Sequence, residues 1–406
     1  MTGRVFLAGL AVSLAVGCTT SGTERAPADP EQRANALAQS AIIVDGHIDV
    51  PHRLNKEWED VSLATEQGDF DYMRAISGGL NAPFMSIYVP ADKDTEEARE
   101  LADTLIGLVN RIVDESPDRF AIPFSVADVR KQFKAGQISL PMGLENGSAI
   151  GNDLSMVEYF HDRGVRYVTL THSKSNQISD SSYDEDKRWG GLSDFGFEAV
   201  REMNRVGIMI DISHASDGAF WDVMEVAEAP VIASHSSVRH FTPDWERNID
   251  DDMIRRVAES GGIIMINFGS AFITGEANLY SRARSDAHDA YIEENELEKD
   301  DELQKMFNDL YDREHGPYPY AILEQTLDHF DYVVALVGID HVGVGSDYDG
   351  VGDSLPVGLK DVSNYPDLVL GLMQRGYSDA DIKKILGENL LRVWSDVEAH
   401  ARSYEN

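Results

Sequence analysis

Short apolar runs alternate with amphipathic stretches along most of the chain. Runs at 41–49, 84–89, 141–145, 165–172, 207–214, 231–236, 262–268 and 342–347 have the length and the Val/Ile enrichment of buried strands. Between them, 96–113, 153–163, 193–205, 220–227, 251–259 and 320–337 carry apolar residues at the period of a helix with one buried face. Alternating strand and helix implies parallel pairing, because a parallel neighbour needs a crossover and the helix supplies it. Eight such units predict an α/β fold, a (β/α)8 TIM-like barrel. No internal sequence repeat is visible.

The pattern also marks what lies outside that unit. Insertions follow the first strand (51–83) and the seventh (275–319). The second is helical in pattern and acidic, as in Glu293-Glu294-Asn295-Glu296-Leu297-Glu298. Such a charge run reads mostly as a solvated face. Its place after a strand's C-terminal end puts it on the barrel's active face, where it could also cap the site. Residues 351–366 read as a loop, and 378–397 as a helix packed on the barrel wall.

Composition narrows the partners. The chain has 406 residues, 42% of them hydrophobic, and a net charge of −36. That charge argues against nucleic acid, whose binding needs clustered Lys and Arg, and against attraction to anionic lipid. The single cysteine, Cys18, excludes an intramolecular disulfide. It follows a basic start and an apolar run too short to span a bilayer. Ala15-Val16-Gly17-Cys18 resembles a bacterial lipoprotein box. The expected layout is a signal peptide at 1–17, a flexible tether at 18–37 with Cys18 lipidated, and one barrel domain at 38–400. Membrane contact would come only through that lipid anchor. The expected location is the bacterial cell envelope, on the periplasmic side of the outer membrane, or the periplasm.

Candidate chemistry gathers at the strand ends. The first strand ends in Asp45-Gly46-His47-Ile48-Asp49, the third in Gly143-Leu144-Glu145, and the fourth in Thr171-His172. The fifth ends in Asp211-Ile212-Ser213-His214, the sixth in Ser234-His235, and the eighth in Ser346-Asp347-Tyr348-Asp349. Residues i and i+2 of a strand share a face, so His47 and Asp49 aim at one point. Polar groups at the C-terminal rim of a parallel barrel converge over its axis. His47, Asp49, Glu145, His214 and His235 exceed the three protein ligands of one catalytic zinc. They suit two metals with a bridging carboxylate, and Glu145 is the natural bridge.

Taken together, these segments resemble the membrane dipeptidase (renal dipeptidase) family of zinc peptidases, family M19, among the amidohydrolase-type barrels. Arg247-Asn248, the run Asp340-His341-Val342-Gly343-Val344-Gly345 and Glu388-Asn389-Leu390-Leu391-Arg392 fit as well. The resemblance implies a metal-dependent hydrolase barrel with two Zn2+ per chain. His47, Asp49 and Glu145 would bind one ion, and Glu145, His214 and His235 the other. His172 would polarise the scissile carbonyl and steady the oxyanion. Arg247 would hold the substrate's C-terminal carboxylate, and Asp347 would accept the water's proton and pass it to the leaving amine. The implied substrate is a dipeptide, with a D-residue tolerated at the C-terminal position, and the implied assembly a homodimer. The chain departs from the mammalian members in lacking their disulfides and their C-terminal lipid anchor, and in carrying the acidic insertion 275–319, which has no short counterpart in them. The alternatives are another amidohydrolase-type hydrolase, acting on an N-acyl amino acid or a lactone, and a non-catalytic peptide-binding lipoprotein. Asp349 reads as a loop cap, and His52, His240 and His341 as structural.

Overall fold

The computed structural model describes residues 1–3, 29–298 and 300–404. Eight parallel strands close a barrel: β1 (Ile43–Ile48), β2 (Leu80–Tyr88), β3 (Met142–Glu145), β4 (Val165–Thr169), β5 (Met209–Asp211), β6 (Ile232–Ala233), β7 (Ile263–Ile266) and β8 (Val342–Val344). Each pairs with its neighbour in sequence, and β8 returns to β1 through Asp45 and Val344. A separate two-stranded sheet, Phe120–Ala121 with Ile138–Ser139, was not legible in the pattern. The helices at Thr95–Glu115, Asp194–Val206, Asp251–Glu259 and Leu323–Val337 fall where the helical period predicts them.

The strands are shorter than the apolar runs. In the fifth run the ladder stops at Asp211, and His214 follows with φ at 67°. The backbone leaves the ladder to re-aim the polar residues, so most of the candidate ligands lie just beyond a strand.

Two expectations are corrected. Residues 30–37 are not tether: Pro30–Ser40 is a helix, capped by the Asp29 side chain and burying Ala34, Leu37 and Ala38. Proline at its start and a regular apolar stripe favour the helix over a flexible linker. Among the described residues, regular structure therefore reaches back at least to Pro30, ahead of the expected domain start at 38. The C-terminal segment does more than cover the wall. Leu390, Leu391, Val393, Trp394 and Val397 join Val44, Ala82, Phe84, Met209, Ile232 and Ile263 in one buried cluster. The strand residues come from the N-terminal parts of the strands, so the last helix, Asn389–Ser403, seals that end of the barrel. Trp394 meets Phe84 edge to face at 5.6 Å.

The acidic insertion forms two helices, Gly275–Asn295 and Asp301–His315. Among the described residues no helix is long and apolar enough to cross a membrane. Cys18 lies outside the described residues, as does most of the expected signal peptide and tether.

Candidate metal centre

The C-terminal rim brings together residues from β1, β3, β5, β6 and β8. Glu145, at the end of β3, is buried and central, and its two carboxylate oxygens are divided between two groups. Oε2 lies 3.3 Å from His47 Nε2, which is itself 3.5 Å from Asp49 Oδ2. Oε1 lies 3.2 Å from His214 Nε2, 3.4 Å from His235 Nε2 and 3.7 Å from His172 Nε2. Ser86, on β2, donates to Oε2 at 2.9 Å and orients the carboxylate.

The donor set fits a metal. His47 Nε2 is buried and has no hydrogen-bond partner. His214 and His235 turn their Nε2 atoms toward each other at 2.9 Å. Three overlapping groups, His47–Glu145–His235, Glu145–His172–His214 and His47–Asp49–Asp347, each offer ligand atoms within 4.8 Å of one another. Imidazole nitrogen with carboxylate oxygen is the ligand chemistry of zinc and its neighbours.

Burial sets the charges. It pushes the His214 and His235 imidazoles well below the usual range, with nearby Arg247 adding to the effect, so both rings are neutral lone-pair donors. Burial opposes ionisation of Glu145, but His47, His214 and His235 outweigh it and hold the carboxylate well below its ordinary value. Burial, with Asp49 and Glu145 close by, pushes Asp347 up to about 7.

The supports for these ligands explain local sequence. His47 Nδ1 pairs with the Tyr167 hydroxyl at 2.7 Å. Tyr167 fits beneath Glu145 because residue 143 is glycine; a Cβ there would run into the Tyr167 ring. Asp49 stands at the N-cap position of the helix Val50–Lys56 but its side chain makes no capping hydrogen bond, and the carboxylate turns toward His47 instead. Asp347 and His214 both adopt left-handed backbone, φ 64° and 67°. Non-glycine residues take that conformation at a cost, and such outliers cluster where a side chain must be aimed. Asp347 Oδ2 accepts from Asn267 Nδ2 at 2.7 Å.

An open cavity of about 660 Å3 lies over this centre. Asp49, Glu145, His172, His214, His235, Arg247 and Asp347 line it, so every proposed site residue among the described ones faces the same space except His47, which lies beneath. Arg247 is 2% exposed and donates to Ser236 Oγ at 2.6 Å and to the His235 carbonyl at 3.0 Å. Its Nε–H has no partner and its guanidinium lies 5.0 Å from the Phe272 ring centre. Both hydrogen bonds go to neutral oxygens, so the charge of this buried cation is not matched by a hydrogen-bonded carboxylate and can attract an anion.

Asp349 does cap a loop. It accepts from the Asp69 amide at 2.6 Å and from Arg53 Nε at 3.0 Å, tying the first insertion to the segment after β8. His240 stacks on Tyr332, and His341 pairs with the Gly262 carbonyl, both away from the site. His52 differs: it lines the cavity beside Tyr88, at 5.1 Å between ring centres. Tyr88, Tyr183 and Phe272 were also missed. Tyr183 and Phe272 sit outside the strands, where no periodicity marks them.

Comparison with known proteins agrees with this geometry. The profile of the membrane dipeptidase family, peptidase family M19, matches residues 31–406. Dipeptidase aclJ of Aspergillus oryzae is 36% identical over 344 residues, covering 83% of this chain and 72% of that protein. Dipeptidase tcpJ of Claviceps purpurea is 34% identical over 373 residues, covering 88% and 78%. Among solved structures, the probable dipeptidase PvdM of Pseudomonas aeruginosa superposes with a TM-score of 0.78 at 27% identity, over 93% of this chain and all (100%) of that one. A metallo peptidase from Rhodobacter sphaeroides, liganded with a phosphinate mimic of L-Ala-D-Ala, shares the fold with a TM-score of 0.73 at 24% identity, over 88% of this chain and 99% of that one. Barrel, rim carboxylates and imidazoles, and the match over nearly the whole chain agree: this protein is a metallo-dipeptidase of the membrane dipeptidase family, peptidase family M19.

Proposed function

We propose that this dipeptidase is a binuclear zinc enzyme that cleaves dipeptides and accepts a D-residue at their C-terminal position. One observation carries the two-metal reading: the Glu145 oxygens divide between His47–Asp49 on one side and His214–His235 on the other. His47, Asp49 and Glu145 would hold one ion, and Glu145, His214 and His235 the second. When bound, the pair supplies positive charge that polarises a carbonyl and favours ionisation of water near neutral pH.

The chain's own groups do the rest. Arg247 holds the C-terminal carboxylate and so sets the register of the scissile bond. His172, on the same cavity wall, donates a hydrogen bond to the oxygen on which charge develops. Burial pushes its imidazole down, which favours a neutral donor. Asp347 accepts a proton from water and delivers it to the leaving amine. Its raised pKa suits a group that must both take and give a proton near neutrality. The tolerance of a D-residue follows from the family resemblance. The N-terminal segment supports an envelope location with an acyl group on Cys18, tested by the mass of the N-terminal peptide.

Zinc-loaded protein should contain about two ions per chain. It should turn over free L,L and L,D dipeptides, leave N-acetylated amino acids intact, and lose activity to chelators. Active protein with no bound metal overturns the mechanism. Turnover of L,L but no L,D dipeptides removes the stereochemical part alone.

A further inference from the structure

Two buried carboxylates beneath the ligand layer are clasped in the same way, and only one of them reaches a ligand's side chain. Asp211, at the end of β5, accepts four hydrogen bonds. The Ser213 and Ser234 amides donate at 3.1 and 2.8 Å, and the Thr169 and Ser234 hydroxyls at 2.5 and 2.6 Å. Asp45, on β1, accepts from the His47 and Ser346 amides at 3.1 and 2.9 Å and from the Ser346 and Tyr365 hydroxyls. In both clasps a serine from the neighbouring strand gives its amide and its hydroxyl to the carboxylate. In both, the residue after that serine belongs to the site: His235 and Asp347.

The difference lies in the serine oxygen. Ser234 Oγ is 2.7 Å from His235 Nδ1. A hydroxyl has one proton, and Ser234 gives it to Asp211. Its oxygen therefore accepts from His235 Nδ1–H, which leaves the lone pair on Nε2, the atom facing Glu145 and His214. The other two imidazoles lack this support. His47 Nδ1 rests on the neutral Tyr167 phenol, and His214 Nδ1 is buried without a partner.

We propose that Asp211 is a positioning residue for the metal centre: acting through the Ser234 hydroxyl, it locks His235 in the ligating tautomer and strengthens its Nε2 as a donor. The inference rests on the two-metal reading above. A carboxylate at the far end of the relay polarises the Nδ1–H bond and pushes electron density toward Nε2. The ion on the His214–His235 side depends on this relay, because its other imidazole has no equivalent backing. The ion on the His47–Asp49 side does not, since Asp49 contributes a charged ligand of its own.

The test is competition of the zinc-loaded protein with a chelator of known affinity, counting the ions released. Asp211→Asn should loosen one of the two ions by about 10–100-fold and leave the other as in the wild type. Ser234→Ala should do the same, and Ser234→Thr, which keeps the hydroxyl, should restore wild-type retention. Nitrogen-15 spectra of the His235 ring, recorded without zinc, should show one Nδ1–H tautomer in the wild type and in Ser234→Thr. They should show a mixture in Ser234→Ala. Unchanged affinities, equal loosening of both ions, or a threonine variant as weak as the alanine variant would overturn the relay. If Asp211→Asn does not fold, the Ser234 pair decides. A wild-type protein that takes up no zinc would sink the two-metal reading, whereas the tautomer spectra judge the relay independently.

Discussion

Removing the Arg247 guanidinium should cost free dipeptides far more than their C-terminal amides. Arg247 is buried, its two hydrogen bonds go to neutral oxygens, and its Nε–H is unpaired at the wall of the cavity. A carboxylate placed there gains charge-assisted hydrogen bonds, each worth about 1.5–3 kcal/mol. After the cost of removing the carboxylate from water, a net of about 3 kcal/mol is a reasonable expectation, which is on the order of 100-fold in kcat/KM. An amide offers a neutral oxygen and no charge, so it should lose only a few-fold, about 1 kcal/mol or less. The assay is kcat/KM for one dipeptide and its amide, with the wild type and with Arg247→Ala. The ratio of the two losses cancels general damage. That cancellation matters because Arg247 also holds the His235 carbonyl, so zinc content is measured alongside. Equal losses on both substrates would refute the carboxylate clamp and favour a purely structural arginine.

Asp347→Asn keeps the side chain's shape and should retain both zinc ions while kcat falls by about 10^2–10^4, the usual worth of a general acid–base group; loss of metal instead would make Asp347 a ligand. Gly350→Ala should lower zinc content, since a Cβ at that position meets the carboxylates of Asp49 and Asp347; unchanged metal and activity would show that the loop yields. His329 gives a pH prediction remote from the metals. Its Nδ1 accepts from the Val238 amide and its Nε2–H donates to the Ile273 carbonyl, and burial pushes it from 6.5 down to about 4. Below pH 6.5 the unfolded chain takes up a proton that the folded chain refuses, so this stabilisation is present above that pH and fades as pH falls toward 4. At pH 5 the loss from this group should be about 2 kcal/mol relative to pH 7. His329→Gln, which can keep both hydrogen bonds without titrating, should flatten urea-unfolding stability between those values; an unchanged pH slope would refute it.

Much of this protein can be read from one dimension. A buried parallel strand must be an apolar run, and a crossover helix must show one apolar face, so both leave a periodic trace that predicts the barrel. The ligands are legible for a related reason. The C-terminal rim is where apolar runs end, and His47, Glu145, His214, His235 and Asp347 interrupt those runs at their ends.

What the pattern could not carry was anything set by contact between distant segments. The division of the Glu145 oxygens depends on how four strands close around one carboxylate. Tyr167, Ser234 and Asp211 show no role of their own in the sequence until the barrel puts them behind a ligand. Tyr183 reaches the cavity from a turn and Phe272 from the one-turn helix Ser270–Ile273, and the last helix seals the barrel through contacts such as Trp394 with Phe84, hundreds of residues apart. Local sequence fixes periodicity and therefore which residues are inside. Only closure of the barrel decides which of those inside residues touch, and the chemistry of this protein lies in those contacts.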